Sequence, residues 1–219
     1  MISLMKRNNK NVFPLLVLSN LFPLLGVMRE GWPFFLVLYI FWLEMLIITF
    51  FEEIKMIVSR SGEHGWEKLR LMFFYGLVRG GIFCFYLIFI IVFIGLLGTS
   101  KEQHITVLKA LIFRNTILNI AILNFIAYNL IDFIFNFILN KKYLQSKASD
   151  HNNLIDGRQV VVHIVVVLGA FLSNFILARS GNNYYYSNLA LVSLFIFVKI
   201  IGDFFSTGNS AEDSPEVYI

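Results

Sequence analysis

The sequence predicts an all-α protein, a polytopic transmembrane bundle of six helices with both termini in the cytoplasm. Composition is the first reason. Of the 219 residues, 58% are hydrophobic and 15% are charged, whereas soluble domains are about 45–50% apolar and about 25% charged. The 24 phenylalanines are the second reason, because so short a soluble chain could not bury that much apolar surface.

Long apolar runs define a single membrane domain, residues 1–219. A helix needs about 20 apolar residues to cross a bilayer, and these runs are longer and more continuous than the alternating strands of about 10 residues in membrane barrels. The predicted spans are residues 12–28, 33–51, 71–97, 116–139, 160–177 and 186–205. No small-residue cleavage site follows the first run, so it is predicted to be a retained helix rather than a signal peptide.

Two segments lie between or after these spans. Residues 101–113 place apolar side chains on one helical face. They form either an amphipathic helix in the membrane interface or the start of a longer fourth helix. Residues 206–219 are polar and acidic, and they are predicted to be a disordered tail.

Basic residues in the loops predict the orientation. The N-terminal tail and the loops after the second and fourth spans hold 11 lysines and arginines, and the opposite side holds fewer than half as many. Cytoplasmic loops carry the excess of positive charge, so the 11-residue side is predicted to be cytoplasmic. This distribution also explains the net charge of +4 without a nucleic-acid partner.

Ionisable residues within spans are costly and usually have a role. The orientation places all of them near the cytoplasmic ends of their helices, as one layer that Asn136 joins. Two readings remain open: a cytoplasm-facing polar cavity, or a closed ion-pair network in which Glu44 pairs with Arg79, and Lys199 pairs with Asp132 or Asp203. The candidate residues are Glu44, Arg79, Asp132, Asn136, His163, Lys199 and Asp203.

The fourth predicted span adds a polar stripe. At 100° per residue, its members fall on one face of the helix, which must face other helices or water rather than lipid. The stripe comprises Asn115, Asn119, Asn129, Asp132, Asn136 and Asn140.

Other kinds of site have little support. His163 with Asp132 or Asp203 is a weak candidate for a metal site, and no cofactor is predicted. The chain contains no serine–histidine–acid spacing, glycine-rich phosphate loop or cysteine pair. Cys84 is predicted to be a small buried side chain, and Gly80 and Gly81 are predicted to allow close helix packing.

The order of several short motifs resembles a family of prokaryotic integral membrane proteins that is known only as a domain of unknown function. The resemblance covers about residues 13–203, which is nearly the whole chain. The matching motifs are Asn20-Leu-Phe-Pro23, Gly26-Val27, Gly31-Trp32, Phe41-Trp42-Leu43-Glu44, Asp132-Phe133, Asn136-Phe137, Arg158 before His163, and Lys199 before Asp203.

The chain departs from this family at two places. The family's third helix carries a His-Tyr-Gly-x-Phe pattern, where this chain has Arg79-Gly80-Gly81-Ile82-Phe83. Its fourth helix carries a serine–histidine pair, where this chain has Asn129 and Asp132. The resemblance implies that any metal or proton chemistry of those histidines is lost or altered here.

Three functional hypotheses follow. The favoured one is a non-enzymatic, transporter-like or binding module with a cytoplasm-facing polar cavity, in the prokaryotic cell membrane. The alternatives are an accessory or assembly subunit of a larger membrane complex, and a membrane-embedded enzyme acting on a lipid or through a metal. The expected partners are the bilayer and either other membrane subunits or further copies of the chain.

Overall fold

The computed structural model describes residues 26–28, 31–92, 101–152 and 184–212, together with a few residues between 164 and 179. Every regular element among them is helical, so the all-α prediction is confirmed. In chain order they are α1 (Phe34–Val58), α2 (Gly65–Phe89), α3 (Lys101–Leu111), α4 (Thr116–Ile131) with its π-helical continuation (Asp132–Leu139), two 3₁₀ turns (Lys142–Leu144 and Ala148–His151), and α5 (Tyr184–Glu212).

Within the part of the chain that the structure describes, three stretches of helix are long and apolar enough to cross a membrane: Phe34–Val58, Gly65–Val92 and Leu118–Leu139. They correspond to the second, third and fourth predicted spans. The predicted spans 12–28 and 160–177 lie almost wholly outside the described residues. The count of six and the orientation therefore stay predictions.

The chain divides into two compact units, residues 38–155 and residues 1–37 with 156–219. In the first unit, α2 and α4 leave most of their apolar surface uncovered: only 28% and 6% of their most apolar windows are buried, against 78% for α1. Uncovered phenylalanine, leucine and isoleucine on this scale are compatible with lipid and would aggregate in water.

The loop between α1 and α2 is shorter than the sequence indicated. α1 continues to Val58 rather than residue 51, and α2 begins at Gly65 rather than residue 71. Side chains satisfy the last carbonyls of α1. Lys68 Nζ donates to the carbonyls of Ile57 and Ser59 at 2.6 and 2.7 Å, and Ser59 Oγ donates to the Lys55 carbonyl at 2.7 Å. With these carbonyls bonded, α1 continues through the charged residues near its end.

The segment before α4 is a separate short helix. α3 ends at Leu111, Phe113 has a φ of +54°, and Asn115 caps α4 by accepting a hydrogen bond from the Leu118 N–H at 3.0 Å. The reading of this segment as the start of a longer fourth helix is therefore wrong. Its 11 residues span about 16 Å, too short for a crossing of about 30 Å, and its place in the interface stays a prediction.

The last helix is longer than expected. α5 ends at Glu212, so the first part of the segment predicted as a disordered tail, residues 206–219, is helical. Ala211 and Glu212 are good helix formers, and the first proline after the predicted span is Pro215. Residues 213–219 lie outside the described part of the chain.

A tight turn precedes α1. Gly31 has a φ of +60°, which costs glycine little. The N–H groups of Gly31 and Trp32 donate to the carbonyls of Val27 and Gly26 at 3.1 and 3.4 Å. Trp32 is buried against Gly26, where an added Cβ would lie 2.4 Å from the ring. Glycine at position 26 therefore avoids a clash with Trp32, whereas glycine at position 31 allows the positive φ of the turn.

The buried face of α2 corrects two expectations. Its buried residues are Tyr75, Arg79, Phe83 and Tyr86. Cys84 follows Phe83 directly, so it points away from this face and is exposed rather than buried. Among the described residues, nothing lies within 4 Å of a Cβ added at Gly80 or Gly81, so close packing at these glycines is not observed.

Candidate functional site

Contacts between α1 and α2 fix their relative position. Trp42 Nε1 donates to the Phe83 carbonyl at 3.0 Å. Further along α1, the Glu53 carboxylate passes over Gly76, where an added Cβ would lie 2.8 Å from Glu53 Oε1. A later residue of α1 thus contacts an earlier residue of α2, so the two helices are antiparallel.

Glu44 and Arg79 lie equally far along their helices from the loop that joins α1 and α2. Glu44 lies as far before the end of α1, Val58, as Arg79 lies after the start of α2, Gly65. At 1.5 Å per residue, each lies about 21 Å from the connecting loop. The sequence placed both residues within two or three turns of the cytoplasmic face. Both lie about four turns from the ends of α1 and α2 at the connecting loop, and their depth below the cytoplasmic face stays a prediction.

Arg79 is buried between aromatic side chains of its own helix. Its side chain is 5% exposed, and its Nε donates to the Tyr75 hydroxyl at 3.2 Å. The guanidinium carbon lies 5.4 Å from the centre of the Tyr75 ring and 5.9 Å from that of Phe83. Cation–π contacts are stronger when desolvated, so both rings help to hold this charge within the bundle.

A second polar level, the charged level formed by Glu52, Lys55 and Asp132, lies closer to the loop and links α1 to the π-helix. Lys55 Nζ is 2.8 Å from Glu52 Oε1 and 3.7 Å from Asp132 Oδ2. Asn136 Nδ2 donates to Asp132 Oδ1 at 2.7 Å. The side chains remain partly accessible, 16% for Lys55 and 31% for Asp132. Asp132 is therefore paired with Lys55 of α1, a partner that the sequence did not suggest.

Three of the six residues in the polar stripe of the fourth span bond through their side chains to nearby backbone groups. Asn115 caps the helix, and Asn119 and Asn129 donate through Nδ2 to the carbonyls of Phe113 and Phe125, each at 2.8 Å. The spacing of 100° per residue also fails beyond Ile131, because the helix becomes π-helical at Asp132. Only the lower end of the stripe, Asp132 and Asn136, joins the charged level.

The segment after the π-helix folds against the loop that follows α1. The N–H groups of Arg60 and Ser61 donate to the carbonyls of Tyr143 and Ser146 at 2.8 and 3.2 Å. The Arg60 guanidinium lies over the Tyr143 ring. These contacts bring the ends of α1 and of the π-helix together at one end of this unit.

The same fold brings a histidine to the charged level. His151 Nδ1 lies 2.7 Å from Glu52 Oε2, and its Nε2 lies 2.8 Å from Ser146 Oγ. The His151 and Phe137 rings make a T-shaped contact at a centroid distance of 5.4 Å. The sequence shows no serine–histidine–acid spacing, yet these three side chains form a serine–histidine–glutamate chain in space. Such arrangements are recognised by geometry rather than by sequence position.

Comparison with known proteins places nearly the whole chain in one family. A family model of unknown function, DUF6498, matches residues 3–216. The chain belongs to the DUF6498 family. No curated protein and no solved structure matches it significantly. The resemblance to an uncharacterised family is thus confirmed, whereas the individual motifs are not tested by this match.

One acidic side chain of this DUF6498 protein lies outside the candidate spans and has a perturbed pKa. Hydrogen bonding from its own backbone N–H, and further bonds from Ser149, lower the pKa of Glu63. The Ser149 N–H donates to Glu63 Oε2 at 3.5 Å. Glu63 thereby fastens the first loop to the second 3₁₀ turn, at the edge of the site.

The remaining candidates of the DUF6498 chain belong to the other unit, residues 1–37 with 156–219. Lys199 is 8% exposed on α5, in the other unit, and Asp203 lies further along the same helix. His163 lies outside the described residues, so the weak metal hypothesis that depends on it stays untested. Within the described part of the chain, no group of three or more histidine, cysteine or carboxylate side chains could hold a metal.

Proposed function

We propose that this DUF6498 member is a multi-pass protein of the prokaryotic cell membrane, with six spans and both termini in the cytoplasm. In that topology the second and fourth spans run in the same direction, so their C-terminal ends lie on one side. The hydrogen bond from Arg60 to the Tyr143 carbonyl supports it, because it joins the segments that follow those two ends.

The side on which these ends lie follows from charge. The loops after the second and fourth predicted spans carry most of the basic residues counted for the cytoplasmic side, among them Lys55, Lys68 and Arg158. Positive loops favour the cytoplasm. The level formed by Glu52, Lys55 and Asp132 therefore faces the cytoplasm in this proposal.

The proposed molecular function is a transporter-like or binding module that takes a small cation at Asp132. The main observation behind this proposal is that Lys55 pairs unevenly with two carboxylates. Its ammonium is 2.8 Å from Glu52 but 3.7 Å from Asp132. The longer distance exceeds that of a hydrogen bond. Glu52 and Asp132 place two carboxylates around this one ammonium, and this excess of carboxylates favours a monovalent cation or a protonated amine.

The surroundings of Asp132 support a binding role. The residue is 31% exposed at the side chain, so a ligand can reach it. It begins a π-helix, and π-helical segments within α-helices occur frequently at functional sites. The hydrogen bond from Asn136 orients one carboxylate oxygen and leaves the other directed at Lys55.

Thermal unfolding of the purified chain in detergent tests this function. Sodium, potassium, ammonium and ethanolammonium salts are compared at constant ionic strength against N-methylglucamine. A ligand at 100 times its Kd adds about 2.7 kcal/mol of stability, which corresponds to a rise in Tm of about 5–10 °C for a chain of this size.

Asp132→Asn should abolish this rise, and Glu67→Gln should retain it, because Glu67 is an exposed acid on α2. Size-exclusion elution of each variant shows that it is folded. If no cation raises the Tm of the wild-type chain, or if Asp132→Asn responds equally, the cation-binding function is wrong.

A further inference from the structure

The serine–histidine–glutamate chain has the connectivity of an activated nucleophile. Ser146 Oγ lies 2.8 Å from His151 Nε2, and His151 Nδ1 lies 2.7 Å from Glu52 Oε2. The three residues come from three separate segments: α1, the loop after the π-helix, and a 3₁₀ turn. All lie in the compact unit formed by residues 38–155.

The direction of each hydrogen bond follows from the chemistry of the groups. An ionised carboxylate can only accept, so His151 Nδ1 carries the proton that Glu52 receives. In neutral imidazole Nε2 is then the acceptor, and Ser146 must donate. A competing acceptor, the Lys147 carbonyl, lies 3.4 Å from the Ser146 hydroxyl. The shorter contact, to His151, is much the better hydrogen bond, so the serine proton lies toward His151.

Glu52 is itself held in place. Its Oε1 accepts from Lys55 at 2.8 Å while its Oε2 accepts from His151. The His151 side chain is 16% exposed and makes a T-shaped ring contact with Phe137. The imidazole therefore has a fixed tautomer and orientation, which are the two properties that a general base in this position requires.

We propose that Ser146 is a nucleophile that takes acyl groups from esters, with His151 as its base and Glu52 as the positioning residue. The substrate class is the acyl ester of a membrane lipid. Ser146 follows shortly after Leu139, where the apolar π-helix ends. A group just beyond the end of a span lies near the boundary between headgroups and hydrocarbon, where the ester carbonyls of lipids are found.

Besides the ester, the reaction needs only water. Ser146 Oγ attacks the ester carbonyl while His151 Nε2 takes its proton, and the same proton goes to the departing alkoxide as the carbon–oxygen bond breaks. Water then attacks the serine ester with His151 as base. The acyl group leaves as a carboxylic acid, and the Ser146 hydroxyl is regenerated.

The hydrogen bonds of the backbone N–H groups near Ser146 determine how fast the ester reaction is expected to be. The Ser146 N–H donates to the Lys142 carbonyl at 2.9 Å, and the Lys147 N–H donates to Asp150 at 2.8 Å. Neither can serve as an oxyanion donor, and one such donor is worth about 10²–10³ in rate. We therefore expect acylation by reactive esters and slow turnover. This activity goes beyond cation binding at Asp132, and neither proposal requires the other.

Labelling with a fluorophosphonate, a serine-directed ester mimic, tests the proposal on the full chain in detergent. Peptide mass spectrometry should locate the adduct on Ser146. Ser149, an exposed serine in the 3₁₀ turn that follows, serves as the internal control within the same molecule. Ser146→Ala should remove the adduct, Ser149→Ala should keep it, and His151→Gln should slow labelling about 100-fold, the lower end of a general base's usual contribution.

The comparison of Ser146 with Ser149 in the wild-type chain needs no variant, so it stands even if His151→Gln fails to fold. Faster labelling of Ser146 supports an activated nucleophile. Equal labelling of the two serines in the folded wild-type chain, or an unchanged rate in folded His151→Gln, would show that the three side chains only fasten the loop, and the proposal would be wrong.

Discussion

Gly26→Ala should destabilise the protein through one defined clash. A Cβ at this position would lie 2.4, 2.5 and 2.7 Å from three carbons of the Trp32 ring, about 1 Å inside ordinary carbon–carbon contact. Trp32 is 3% exposed, so the ring cannot swing into open space. Overpacking of this kind costs about 1–3 kcal/mol, and the gain of about 0.5–1 kcal/mol from replacing a helical glycine offsets part of it. The net loss should be about 1–2 kcal/mol.

Gly81→Ala is the matched control for this prediction. Gly81 is an exposed position inside α2, and no described atom lies within 4 Å of an added Cβ. This variant should be as stable as the wild type or slightly more stable. Unfolding in mixed detergent micelles measures both variants. The reasoning is refuted if Gly26→Ala costs nothing, or if its cost is the same in a Trp32→Ala background, where the ring is absent.

Two further predictions concern the charged level and the orientation. Lys55→Met should lower the free energy of unfolding by about 1–2 kcal/mol, because Lys55 is the cation that Glu52 and Asp132 share, although partial exposure reduces the contribution of such pairs. Asp132→Asn should lower it by less. Equal stability of Lys55→Met and the wild type would contradict the shared role of Lys55. In a Cys84→Ser background, an impermeant maleimide should label Lys101→Cys in intact spheroplasts and Ser149→Cys only after lysis, and the reverse pattern would invert the proposed topology.

The sequence predicted the helical class and three candidate spans well because those depend on composition and on apolar run length. Helix ends were less predictable. The second span was predicted to end at residue 51, and the charged residues Glu52, Glu53 and Lys55 follow that position. In the structure these residues lie within α1, since Lys68 of the next helix satisfies its last carbonyls. A cap supplied by the next helix leaves no local signal in the sequence.

The candidate site was predicted only in part for a related reason. Asp132 and Asn136 were identified because polar residues in an apolar span stand out. Glu52, Lys55 and His151 were missed because they lie beyond the predicted spans, where charged residues are ordinary. Their proximity depends on the backbone hydrogen bonds between the two loops, which no spacing in the sequence encodes.

The two polar levels differ in how tightly their charged side chains are enclosed, and this difference indicates which level is the better candidate for binding or catalysis. Arg79, at the deeper level, is 5% exposed and enclosed by aromatic rings, so any group that approaches it must displace packed side chains. The level near the loop is partly exposed, with a carboxylate 3.7 Å from its cation and a histidine between two oxygen partners. Exchange of ligands or protons requires groups that water can reach and that can change partners at low cost. The level near the loop meets both conditions, so Glu52, Asp132 and His151 are the residues at which substitution should change function before it changes folding.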